Sequence, residues 1–239
     1  MNLDKKDVLV VIPAFNEEKS IAAVIDTVRK AGYDLVVVSD GSTDSTVEMC
    51  RQSRAKVIQL PINLGVGGAL RTGFQYACRR GYRAAVQVDA DGQHDPAAIG
   101  ELLTAANETG ADMVLGSRFR TIATTMEVGV VRRQVMRILA YSAAVATSTT
   151  ITDATSGFRL ITRPLLDHLS HHLATNYLGD TYEALVAAGR AGYKIREVPV
   201  PISERMFGNS SASLFDSARF TARGLGVFVL RLHPHINSG

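Results

Sequence analysis

Cysteine is nearly missing from this chain of 239 residues, which has only Cys50 and Cys78. Both fall in stretches with helical spacing. A disulfide framework is thereby excluded, and buried reduced thiols in a cytosolic compartment are expected. Long hydrophobic runs are lacking too: none reaches the ~18 apolar residues of a membrane-spanning helix. The opening "MNLDKKDVLVVIPAFNEE" is interrupted by acids and its apolar run stops at Pro13, unlike a secretory signal. Nor is there much charge of one sign. The net charge of +3 is far too small to argue for nucleic acid as a partner. Internal repeats and low-complexity linkers are absent, so one domain with a regular first half and an irregular second half is the simplest organisation.

What charge there is sits unevenly. Residues 1–100 hold 12 Lys+Arg and 12 Asp+Glu, whereas residues 101–239 hold 14 and 11 and carry the whole excess. Thirteen of those 14 cations are arginine. Its planar fork suits phosphate or carboxylate, so the second half is expected to handle an anionic ligand.

The first 116 residues alternate between apolar runs and helical spacing. "VLVVIP" (8–13) reads as a buried strand, and "NEEKSIAAVIDTVRKAG" (16–32) as a helix with acids in its first turn and Gly32 at its end. "DLVVVSD" (34–40) is a second strand, and a helix over 44–54 follows with Asp44 as its cap. "KVIQLP", "AAVQV" and "DMVLGSR" give three more strands. Between them lie a glycine-led helix over 65–81 and a helix with Pro96 at its first position and Asp95 as cap. Such alternation implies an α/β fold with a mostly parallel sheet covered on both faces. Beyond residue 119 the pattern gives a helix over 130–147, a short strand "SGFRLI", helices near 163–170 and 180–190, a strand "KIREVPV" and a last helix over 214–232.

In open parallel sheets, ligands bind beyond the carboxyl ends of the strands. Five polar clusters fall there: "PAFNEE", "SDGSTDST", "NLGVGGA", "DADGQH" and "GSR". Each alone is an ordinary turn, but five on one edge make a pocket. "NLGVGGA" is not a dinucleotide fingerprint, which belongs after the first strand; Gly67 and Gly68 are expected to let a helix pack close to the sheet. Asp89 and Asp91, two apart at a strand end, have two readings. They converge on a hard cation, which needs a couple of carboxylates plus phosphate oxygens, or they cap a turn and face solvent. His94 reads as a loop residue, because nothing pairs with it at zinc spacing.

These blocks together resemble the family 2 glycosyltransferases. "VVIPAFNEE", "VVSDGSTDST", "NLGVGGA" and "VDADGQHDP" carry the likeness, and "GSR", "DATSGFRL", "GYKIREVPV" and "ERMFG" extend it over roughly residues 8–210. The later blocks are similar to the polyprenyl-phosphate branch, typified by dolichol-phosphate mannose synthase. The resemblance implies a single-domain GT-A fold over residues 1–212, with a nucleotide-binding half (1–118) and an acceptor half (119–212). Residues 213–239 would be an amphipathic helix and tail. It also favours the metal reading of the aspartates. Pro13, Phe15 and Glu17 match the segment that holds the nucleoside, and Asp40 the carboxylate that accepts from the base. Asp89, Asp91 and Gln93 match the groups around Mg²⁺ or Mn²⁺ and the donor diphosphate. Arg118, with Arg132 or Arg133, falls where an acceptor phosphate is gripped, and Arg205 where an arginine meets the donor diphosphate. The pattern departs from the family after Arg205: a lysine is expected beyond Ser210, and Ser211 stands there.

The implied reaction is an inverting transfer of a hexose from UDP- or GDP-sugar to a polyprenyl phosphate. A phosphomonoester, with a second pKa of about 6, attacks as an anion and needs no protein base. A hydroxyl acceptor would need one; Asp153, Asp180 and Glu183 are the candidates, with Glu183 read as a helix-start acid and Asp180 left open. A catalytically silent nucleotide-sugar-binding subunit is the third alternative. The last helix carries Phe215, Phe220 and Phe228 among Arg219, Arg223 and Arg231. It suits peripheral membrane contact, or packing on its own domain, a membrane-protein partner or a second copy.

Overall fold

The computed structural model describes residues 2–117, 130–173 and 180–201, without the side chains of 130–135 and 180. The seven strands expected within that span form one sheet, in the order β3-β2-β1-β4-β6-β5-β7. They are β1 (Val8–Ala14), β2 (Asp34–Ser39), β3 (Lys56–Gln59), β4 (Ala84–Gln87), β5 (Met113–Ser117), β6 (Arg159–Thr162) and β7 (Ile195–Pro199). All pairs are parallel except those of β6, which runs against both β4 and β5.

Period-two alternation sends the strands' side chains to two cores. On one face Val8, Val10 and Ile12 of β1 meet α1 (Ile21–Lys30) and α4 (Ile99–Thr109) through Ile21, Val24, Ile25, Ile99 and Leu102. On the other, Leu9 and Val11 meet α3 (Val66–Arg79), α6 (Leu165–His172) and α7 (Asp180–Arg190). Each such side chain, fully buried, contributes roughly 1.5–3 kcal/mol. The remaining helices are α2 (Thr46–Gln52) and α5 (Val130–Thr147). No helix among the described residues is long and apolar enough to cross a membrane.

Two local expectations change. The first helix starts at Ile21 rather than near residue 16, and no acid lies in its first turn. Asn16 is left-handed (φ +56°), and the backbone N–H groups of residues 16–18 are spent on the neighbouring loop. The close approach of helix to sheet is made by Gly73: a Cβ there would lie 2.2 Å from Val11 Cγ1. At Gly68 a Cβ would instead meet Leu64 of the preceding loop, at 2.5 Å. Gly32 (φ +83°) ends α1 as expected.

Both cysteines are free. Burial pushes the Cys50 thiol up to about 11 and the Cys78 thiol above its ordinary value. A thiol reagent at neutral pH should therefore modify Cys50 only when urea unfolds the protein. Gly73→Ala should lower stability by about 1–3 kcal/mol through overpacking against Val11, read as a lower urea midpoint.

Candidate active site

Ligands in such sheets sit where the winding direction reverses, and here β1 is that point, flanked by β2 and β4. The loops after β1 and β2 are laced together. Asn16 Oδ1 accepts from Thr43 N at 2.9 Å, and Glu17 N donates to Thr46 Oγ1 at 2.8 Å. Glu18 N donates to Asp44 Oδ2 at 3.1 Å, while Ser45 N donates to Glu18 Oε2 at 3.0 Å. Asp44, expected as the cap of α2, stands one residue before the N-cap position, which Ser45 takes, and its Oδ1 accepts from Thr46 N at 3.0 Å. Pro13 is buried inside β1, where it has no amide to offer. Phe15 presents its ring at the rim, 46% exposed. The Glu17 carboxylate takes the Ser20 hydroxyl at 2.6 Å.

Asp40 follows β2 directly and is buried. Its Oδ1 accepts from Leu64 N at 2.7 Å, which ties the β3–α3 loop to the end of β2. Gly41 (φ +69°) allows that approach, since a Cβ there would lie 2.7 Å from Asn63 N. Burial raises the Asp40 pKa, and the N–H groups of Leu64 and Gly65 only partly offset it.

Beyond β4 the chain turns through Asp89, Asp91 and Gln93. Asp89 Oδ1 accepts from Gln87 Nε2 at 3.1 Å, and its side chain is 38% exposed. Asp91 is 7% exposed, and its Oδ1 accepts from Gln93 N at 3.0 Å. Gly157, just before β6, lies against Asp89: a Cβ there would be 2.7 Å from Oδ2. Asp95 Oδ1 accepts from Ala97 N at 2.9 Å and so caps the turn led by Pro96.

The donor set fits a hard cation that brings its own phosphate oxygens. It offers two carboxylates at one strand end, with the only half-open one facing a backbone that has no side chain. The described residues hold no cluster of three or more His, Cys, Asp or Glu that would cage a metal by itself. A small, strongly hydrated ion such as Mg²⁺ needs no such cage.

Sequence reasoning missed the residues that hold this edge in place. His94 is buried, accepts from Asp89 N at 3.1 Å and stacks on Phe158. Glu197 of β7 is buried and accepts from Thr152 N at 2.9 Å and Asp153 N at 2.8 Å. Arg159 is buried, its guanidinium donating to the carbonyls of Ser156, Ala154 and Thr181. Each of these partners is remote in sequence or irregular in spacing, and only the burial of a polar residue could have flagged them. Asp153 is 1% exposed and its Oδ1 accepts from Thr155 Oγ1 at 3.2 Å. Arg118, Arg205 and the serines after it lie outside the described residues, as does the last helix. So do the side chains of Arg132 and Arg133, in the first turn of α5, and of Asp180 at the start of α7.

A carboxyl with a raised folded pKa lends stability at low pH that is lost as pH climbs through that value. Asp40→Asn should therefore keep or raise the urea midpoint at pH 7. The difference from the native protein should shrink as pH falls toward the ordinary carboxylate range.

Comparison with known proteins places this arrangement. Residues 9–170 match the family model described as Glycosyl transferase family 2. The polyprenol monophosphomannose synthase of Mycolicibacterium smegmatis is 31% identical over 221 residues, 86% of this chain and 80% of that protein. The UDP-N-acetylglucosamine–dolichyl-phosphate N-acetylglucosaminyltransferase of Methanococcus voltae is 31% identical over 219 residues, 82% of this chain and 85% of that one. Glucosyl-3-phosphoglycerate synthase from Mycobacterium tuberculosis, solved with Mn²⁺, UDP and phosphoglyceric acid, superposes with a TM-score of 0.68. It is 21% identical, over 97% of this chain and 80% of that one, and shares the GT-A fold.

Proposed function

As the chain belongs to glycosyl transferase family 2 and is a glycosyltransferase, we propose that it transfers a hexose, mannose or glucose, with inversion. The donor is UDP- or GDP-sugar and the acceptor a polyprenyl or dolichyl phosphate. The observation that carries this reading is the gathering of Asp40, Asp89 and Asp91 at the ends of β2 and β4, on either side of β1. The acceptor class is supported by the relatives named for polyprenol and dolichyl phosphate, similar over more than four-fifths of the chain.

In this reading the Asp40 carboxylate accepts from the N–H of the base, a feature that uracil and guanine share. Pro13, Phe15 and Glu17 line the nucleoside. Asp89, Asp91 and Gln93 hold Mg²⁺ or Mn²⁺ against the donor diphosphate. Bound there, the ion supplies a Lewis acid that offsets charge on the leaving diphosphate. Arg205 adds a pre-placed cation at the same oxygens, and Arg118 with Arg132 or Arg133 orients the acceptor phosphate. That phosphate is an anion near neutral pH and attacks the anomeric carbon without a protein base. Consistent with this, the Asp153 carboxyl is packed away and already takes a hydroxyl. The protein meets the membrane that holds the lipid peripherally, at its cytoplasmic face.

Thermal unfolding with UDP and GDP, each with and without Mn²⁺, tests the donor. A ligand at 100 times its Kd adds about 2.7 kcal/mol of stability, so one nucleotide should raise Tm more with Mn²⁺ than without. No shift with either would overturn the assignment. Asp91→Ala should cut turnover on polyprenyl phosphate by about 10²-fold or more, and unchanged turnover removes the metal role.

A further inference from the structure

Asp89 does not stand alone at the strand end. Its backbone N–H donates to His94 Nδ1 at 3.1 Å. A ring nitrogen that accepts carries no proton, so Nδ1 meets this N–H with its lone pair. Nε2 lies 3.9 Å from Asp89 Oδ2, too far for a hydrogen bond. The ring is buried and stacks on Phe158, with centroids 5.1 Å apart and planes 24° apart. Phe158 is itself fixed, 1% exposed, its carbonyl accepting from Gly116 N at 2.9 Å. Gln87 holds Oδ1 at 3.1 Å, and Gly157 lies against Oδ2.

We propose that His94 is a positioning residue, its Nδ1 fixing the backbone from which Asp89 presents its carboxylate to a divalent cation. The role rests on the metal reading of Asp89 given above. A histidine that only filled the core would be replaceable by any ring of similar size. A positioning histidine needs its acceptor at Nδ1, because that atom fixes the backbone from which the carboxylate projects. Groups that orient metal ligands typically matter about 10- to 100-fold in metal affinity.

Two variants separate these roles. His94→Phe keeps the ring on Phe158 and removes the acceptor, while His94→Asn keeps an acceptor near Nδ1 and removes the ring. Calorimetry would measure Mn²⁺ binding to protein saturated with UDP or GDP, whichever the native chain takes, and nucleotide binding in EDTA. His94→Phe should weaken Mn²⁺ by about 10- to 100-fold and leave metal-free nucleotide binding unchanged, and His94→Asn should restore most of the loss. Native Mn²⁺ affinity in His94→Phe overturns the proposal, as does a folded acceptor variant as weak as the Phe variant. A native protein that binds no Mn²⁺ with either nucleotide instead removes the reading of the site itself.

Discussion

A carboxylate at the end of a buried strand has lost its water on one side and must take hydrogen bonds from whatever chain passes nearby. In this sheet the nearest donors are backbone N–H groups of the adjacent loop. Asp40 takes Leu64, Glu18 takes Ser45, Asp44 takes Glu18, and Glu197 takes Thr152 and Asp153. Acids and loops therefore fix one another, and the carboxyl edge becomes a surface of definite shape. The sugar-donor half of the candidate site is built on that lacing.

Asp89 differs from the others in a useful way. Its side chain is partly open, and beside it lie the Gln87 amide, the His94 ring and a glycine. A carboxylate already satisfied by several N–H groups, as Glu197 is, has little charge left to offer a cation. One held by weaker partners keeps its field for an incoming ion, at some cost in stability. The neighbouring Asp91 lies deeper and takes an N–H of its own turn. The proposed division between anchoring acids and a presenting acid matches their partners.

Much of this was legible in the sequence because the fold is dominated by burial on both faces of a sheet. Runs such as "VLVVIP" and "DLVVVS" have no other use, and each strand in the described span lies within three residues of its expected place. The family likeness rested on loop motifs and survived comparison with the family model. What could not be read were features decided by partners elsewhere in the chain. Glu17 and Glu18 look like first-turn acids until Thr46 and Asp44 claim their N–H groups. Gly68 looks like the close-packing glycine, yet Gly73 is the one that meets Val11. The reversed direction of β6 leaves no local mark, since four buried residues look alike whichever way they run. His94 carries no spacing signal: its Nδ1 accepts from Asp89 N, and its ring packs on Phe158 far along the chain.

The strand order also bears on when the protein can become active during synthesis. β1 to β4 find all but one of their sheet neighbours among themselves, so that half can assemble as it emerges from the ribosome. β5 pairs only with β6 and β7, both made after it, and must wait beside an open edge of β4. Gly157 and Phe158 arrive with β6, so Asp89 gains its packing wall only when that strand inserts. A nascent chain can therefore lace the loops after β1 and β2 together before the surroundings of Asp89 are complete. A chain ending near residue 150 would lack β6, and with it the wall beside Asp89.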